Sequence, residues 1–244
     1  MKNTHKLCGA ALLAVIGFAV AAPSATQADW KGDGIVEFEK DTTPDTITPP
    51  DTDGPVLPYP PVNPDPADLK IVAVTPLDFE KHAILTDGSD QTYTVKAFND
   101  AAFGDMENFV EFKDVRSVDE NTYKIEAELT TQFANGSSVL TGSSIKYNNV
   151  RVSTNGSAGA NALAPEGVVT SPAALELGNK VTFLDNTSTT KGFGQYKLAF
   201  GQRGLAATDA GSPEQSVKLN VLGTNAKKVG TYKAEITWSI TAAP

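Results

Sequence analysis

The chain has 244 residues, 40% of them hydrophobic and 20% charged, with a formal net charge of -9. This is a globular composition without the basic surplus needed to displace counterions from phosphates, so nucleic acid is excluded as a partner. The single cysteine, Cys8, lies in an N-terminal apolar segment. If that segment is removed, no disulfide or thiolate metal site remains.

Residues 1–28 read as an export signal. Lys2 and Lys6 form a charged start, Ala10 to Ala22 is an apolar run too short to span a bilayer comfortably, and Ala25-Thr26-Gln27-Ala28 is a small-residue region with cleavage expected after Ala28. Residues 29–68 carry ten acidic residues against Lys31 and Lys40. They open with a brief apolar cluster of Trp30, Ile35, Val36 and Phe38. Residues 41–66 then hold nine of the fifteen prolines. The expectation is a disordered acidic spacer that buries nothing and reaches about 80 Å if extended. Asp51 and Asp53 lack the ordered ligands and closing Glu of a calcium loop.

Residues 69–244 change character. Short β-like runs are expected at 69–74, 92–98, 108–116, 121–130, 144–152, 180–184, 195–200, 215–222 and 231–241. Between them lie Asp87-Gly88, Asn135-Gly136, Asn155-Gly156, Gly178-Asn179 and Gly211-Ser212-Pro213. The pattern predicts an all-β domain, an antiparallel β-sandwich or barrel. Residues 153–179 form a long Gly/Ala/Pro-rich excursion, with a short helix expected near Ala173–Leu177. In the last run Tyr232, Ala234, Ile236, Trp238 and Ile240 alternate with Lys233, Glu235, Thr237 and Ser239, as in a half-buried strand.

Catalytic chemistry finds little footing. There is no Gly-x-Ser-x-Gly elbow, and the two histidines, His5 and His82, offer no zinc pair. His82 reads as a solvated loop residue. Gly192-Phe193-Gly194 and Gly201-Gln202-Arg203-Gly204 lack the helix start of a phosphate site. Asn135, Asn155 and Asn186 head glycosylation-like triplets and read as turn residues. Paired carboxylates are decided by distance in space, which sequence does not supply. Neither an enzyme nor a cofactor or metal is expected.

Five stretches resemble the WxL domain of Gram-positive surface proteins. They are Val74-Thr75-Pro76-Leu77-Asp78-Phe79, Val110 to Ser117, Tyr123 to Leu129, Val139 to Ile145, and Gly230-Thr231-Tyr232 through Trp238-Ser239-Ile240 to Pro244. Where the family carries two Trp-x-Leu motifs, this chain has Tyr123-Lys124-Ile125 and Trp238-Ser239-Ile240. Aromatic-x-aliphatic packing is kept; chemistry needing an indole at the first position is not.

The resemblance implies non-covalent attachment to the cell wall through peptidoglycan. It also implies association with larger WxL proteins and a membrane-anchored partner in surface complexes. Tyr123, Ile125, Tyr232, Trp238 and Ile240 become candidate motif residues. Arg116, with Tyr147 and Arg203, is a candidate groove residue. Trp238 has two readings: an indole that meets the ligand, or a core residue whose N–H needs an internal acceptor.

Overall fold

The computed structural model describes residues 34–156 and 161–243. The expected export signal, its cleavage at Ala28, Trp30 and Pro244 lie outside them. The chain divides into two compact units, Met1–Thr42 and Thr43–Pro244. Of the first, residues 34–42 are described; they are exposed and have no regular secondary structure.

The second unit is an antiparallel β-sandwich, and no sheet closes into a barrel. One sheet has the order β1 (Leu69–Val74), β5 (Asn108–Asp114), β11 (Gly194–Phe200), β9 (Val150–Ser153). A second has the order β10 (Lys180–Asn186), β6 (Tyr123–Asn135), β13 (Lys233–Ala242), with β7 (Ser138–Val139) returning on β6 after Asn135-Gly136. A third joins β2 (Gln91–Thr94), β12 (Val217–Val221) and β8 (Ser144–Tyr147); β3 (Phe98–Asp100) and β4 (Gly104–Met106) form a hairpin. A single helical turn, α1 (Pro213–Ser216), is capped by Ser212.

Alternation built these strands as the sequence suggests. Tyr123, Ile125, Ala127 and Leu129 of β6 are buried, while Lys124, Glu126 and Glu128 are half-exposed. They meet Val110 and Phe112 of β5, Leu198 and Phe200 of β11, Phe183 of β10 and Leu219 of β12 in one core. The helix expected near Ala173–Leu177 does not form. Leu175 and Leu177 instead bridge Ile145 and Leu129, so the excursion is pinned to the sandwich by isolated ladder bonds. Asn186 is not a turn residue. It ends β10 fully buried, donating to the carbonyls of Asn121 and Lys191 and accepting from the Glu166 N–H.

The largest departure concerns the acidic spacer. Residues 43–68 are not a free linker but a strap across the outer face of the β1-β5-β11-β9 sheet. Ile47 and Leu57 are 1% and 4% exposed and pack with Ala73, Phe98, Met106, Phe109 and Ala199 in a second core. The strand residues facing away from the main core are therefore buried as well. Asp45 bridges Lys70 at 2.7 Å and Lys113 at 2.6 Å, and Asp51 meets Arg151 at 2.7 Å. Beneath the strap, Lys197 pairs with Glu111 at 3.0 Å and donates to Thr48 Oγ1. Burial pushes the Glu111 carboxyl above its ordinary value, with Lys197 opposing it.

A proline-rich chain still satisfies its polar groups this way. The Leu57 N–H donates to the Ile47 carbonyl, the Asn63 N–H to Val72, and Gln195 Nε2 reaches the Thr46 carbonyl. Proline removes donors that such a segment could not pair and lowers the entropy lost on docking.

The clamp generates a pH dependence. Burial alone would raise the carboxyls of Asp45 and Asp51, but hydrogen bonds and charge from Lys113, Lys70 and Arg151 outweigh it and hold both below the ordinary value. Their contribution to stability is complete above about pH 4 and fades as pH falls through the lowered folded values. Denaturant midpoints should therefore drop on acidification below about pH 4. Asp45→Asn should cost about 2–3 kcal/mol at neutral pH and flatten that drop, because it strands two lysines at a largely dry site. A midpoint insensitive to both changes would show that the clamp contributes nothing.

Candidate functional site

A cavity of about 1330 Å³ opens between β1 with its following loop and β13. The two strands come within 8 Å between Cα atoms, with no ladder bonds between them. The deep wall is aromatic and aliphatic: Trp238, Tyr147, Phe200, Val110, Ile145 and Leu219. The mouth is also apolar, with exposed Tyr59, Val74, Ile84 and Val229. Lys81, Lys227, Lys228 and Lys233 line it against Asp78 and Glu80, an excess of cations. None of these lysines forms an ion pair with a described residue. Glu80, at φ 61°, takes the left-handed backbone uncommon outside glycine, with its N–H on Asp78 Oδ1 at 2.8 Å.

Trp238 is neither a sealed core residue nor a free surface one. Its ring lies 4.6 Å from Phe183 and 6.0 Å from both Tyr147 and Phe200, in an aromatic cluster at the cavity wall. The residue is half-buried, and its indole N–H is hydrogen-bonded to no described residue. Register explains why an indole fits there. Trp238 lies opposite Ala127, whose short side chain leaves room, and Ile240 opposite Ile125. The two aromatic-x-aliphatic motifs, far apart in sequence, thus meet on one face of the β6–β13 ladder.

Tyr232 stands at the mouth. Its hydroxyl is hydrogen-bonded with Ser138 Oγ at 2.8 Å and accepts the Lys228 N–H at 2.8 Å. The bond to Ser138, that N–H and the charges of Lys228 and Lys227 hold the phenol below its ordinary value. His82 is exposed but not simply solvated: its ring stacks on Tyr93 at 4.1 Å, its Nε2 lies 2.6 Å from the Phe79 carbonyl oxygen, and it lines the cavity.

The other candidate residues serve the frame. Tyr123 is fully buried; its hydroxyl donates to the Gly192 carbonyl at 3.2 Å, and burial pushes its phenol far up. Gly192 is needed beside it: at φ 96°, an added Cβ would come within 2.5 Å of Asn186 Nδ2 and 2.9 Å of the Tyr123 hydroxyl. Ile125 is also fully buried, and Ile240 packs half-buried against the main core. Arg116 holds buried Asp114 with two bonds of 2.8 Å and caps the Thr122 carbonyl. Arg203 stacks over Phe103 at 4.8 Å. Of the six motif candidates, Tyr232 and Trp238 line the cavity. The rim lysines Lys227, Lys228 and Lys233 were missed; the only signal was their closeness in sequence to Tyr232.

Among the described residues, no cluster of three or more metal-ligating side chains occurs, and no helix is long and apolar enough to cross a membrane. A family model described as "WxL domain surface cell wall-binding" matches residues 25–244. The chain therefore belongs to the WxL family of surface, cell-wall-binding domains. No curated protein and no solved structure matches it.

Tyr123→Phe should leave the Gly192 carbonyl unpaired and lower the melting temperature by roughly 2–4 °C. Tyr232→Phe, at the rim, should leave the melt nearly unchanged. In a spectrophotometric titration it should remove a phenol ionising below about 10. An unchanged titration curve would contradict the bonding described at the mouth.

Proposed function

We propose that this protein is exported and attaches non-covalently to the Gram-positive cell wall, binding peptidoglycan at the cavity between β1 and β13. The observation that carries the reading is an apolar cavity walled by Trp238 and rimmed by lysines, in a chain of the WxL family. Wall stem peptides combine carboxylates with alanine methyl groups. The rim cations suit the first and the aromatic wall suits the second. Glycan rings could stack on Tyr232 or Trp238. Attachment by such contacts needs no catalytic group, which agrees with a non-enzymatic role.

A second reading, a structural subunit that binds another surface protein, is favoured by one specific observation. The mouth is apolar, and among the described residues β13 is an edge strand with ladder bonds to β6 alone. Such edges recruit strands from partner chains. Other WxL proteins or a membrane-anchored surface partner would be the candidates.

The test is binding of residues 29–244 to protein-free cell walls. Saturable binding that weakens with added salt is expected, since the rim charges are exposed. Lys227→Ala with Lys228→Ala should lower the affinity roughly tenfold, an effect of about 1.4 kcal/mol. Trp238→Phe should bind more weakly while still melting cooperatively. No binding by the folded native chain would move the function to the protein partner.

A further inference from the structure

We propose that Tyr59 contacts the ligand in the cavity and reads a sugar ring of the wall glycan, and that the docked strap is what positions it. This rests on the reading of the cavity as the wall-binding site and names the part of the wall that meets the strap.

Three observations carry it. First, the strap reaches beyond the outer face of its sheet. Tyr59, Pro60 and Pro61 of its returning arm line the same cavity as Trp238, Tyr232 and the rim lysines. Second, Tyr59 has unused binding capacity. It is 50% exposed in an otherwise docked arm, with Phe98 as its aromatic neighbour at 6.3 Å, and its hydroxyl is hydrogen-bonded to no described residue. By contrast, the Tyr232 hydroxyl is engaged by Ser138 and the Lys228 N–H, and the Trp238 ring is packed among Phe183, Tyr147 and Phe200. A sugar ring presents C–H bonds on its face and hydroxyls at its edge. An exposed phenol ring with a free hydroxyl matches both. Third, the residues around Tyr59 are fixed. Leu57 and Val62 pack on the second core and Pro60 is buried, while the prolines at 58, 60 and 61 restrict φ.

The clamp at the other arm of the strap acts on this one. Lys70 Nζ, 2.7 Å from Asp45, also donates to the Asn63 carbonyl at 3.0 Å. Asn63 in turn donates its N–H to the Val72 carbonyl and its Nδ2 to the Ile71 carbonyl, which ties the returning arm to β1. The Leu57 N–H reaches back to the Ile47 carbonyl, so the two arms are bonded to each other on both sides of Tyr59. Asp45 is not among the residues lining the cavity. It is a positioning residue: with the clamp closed, the ordering of Tyr59 is complete before the ligand arrives, and binding loses less entropy. When the clamp is open, only the docked fraction of molecules presents Tyr59, and the apparent affinity falls by that fraction.

The experiment titrates the 29–244 chain with two probes: soluble, peptide-free glycan strands released from purified walls by an amidase, and a synthetic stem pentapeptide. Tyr59→Ala should weaken glycan binding roughly tenfold, leave the response to the stem peptide unchanged and melt like the native chain. Tyr59→Phe, which keeps the ring and loses the hydroxyl, should recover most of that loss. Asp45→Asn, measured at a temperature where it is folded, should weaken glycan binding roughly threefold, and should add nothing to Tyr59→Ala in the double variant. Equal glycan binding by the native and Tyr59→Ala chains would overturn the proposal. An equal loss for both probes, or an Asp45→Asn effect that adds in full to Tyr59→Ala, would do the same. Binding of the native chain to whole walls is scored separately. A native chain that binds walls but not glycan strands sinks the proposal and leaves the wall reading standing, whereas one that binds no walls removes the wall reading itself and the proposal with it.

Discussion

The β6–β13 ladder is the interaction on which the rest depends. β6 is the 13-residue spine that carries β10 on one side and β13 on the other. Its inward residues Tyr123, Ile125, Ala127 and Leu129 are sealed in the core, and their opposites on β13 are not. Ala242, Ile240, Trp238 and Ile236 face them in register. A one-residue slip would turn Trp238 to solvent and put a hydroxyl residue, Thr237 or Ser239, over Phe183 and Phe200. The ladder therefore fixes where the indole sits, and the indole defines the wall of the cavity.

The same chain closes one side of the sandwich and leaves another side open. The strap of residues 43–68 covers the outer face of the β1-β5-β11-β9 sheet, where Glu111 and Lys197 would otherwise face water as an ordinary surface pair. Under the strap both are nearly inaccessible, so each needs the other. Charge on the strap is spent in the same way: Asp45 and Asp51 answer Lys70, Lys113 and Arg151. At the β1–β13 side no comparable cover exists among the described residues, and there the lysines remain unanswered. Acidic strap and basic mouth are two halves of one charge distribution, and the mouth is the uncovered half.

Much of this was legible in the sequence because period-2 alternation is local. Tyr123 to Leu129 and Tyr232 to Ile240 announced both their strands and their buried faces. The Pro-rich strap was misread for a physical reason. Proline, aspartate and threonine signal disorder when averaged over a window, whereas docking is done by sparse residues such as Ile47 and Leu57 whose pocket is made by distant strands. The helix expected at Ala173–Leu177 failed because its leucines found ladder partners in Ile145 and Leu129, contacts no local pattern reveals. The motif residues were found as a set, but their division between frame and cavity was not. Tyr123 and Trp238 look equivalent as aromatic-x-aliphatic heads; only register and the neighbouring Gly192 make the first a sealed strut and the second a cavity wall.

The claim that the cavity between β1 and β13 is the ligand site is tested most directly by nuclear magnetic resonance of the 29–244 chain during titration with a soluble peptidoglycan fragment. The indole N–H of Trp238 and the backbone amides of β13 and the Lys227–Tyr232 segment should shift together and saturate, while the strap amides of residues 45–54, away from the mouth, stay still. Shifts confined to the strap face, or a Trp238 signal unmoved while binding saturates, would contradict the account.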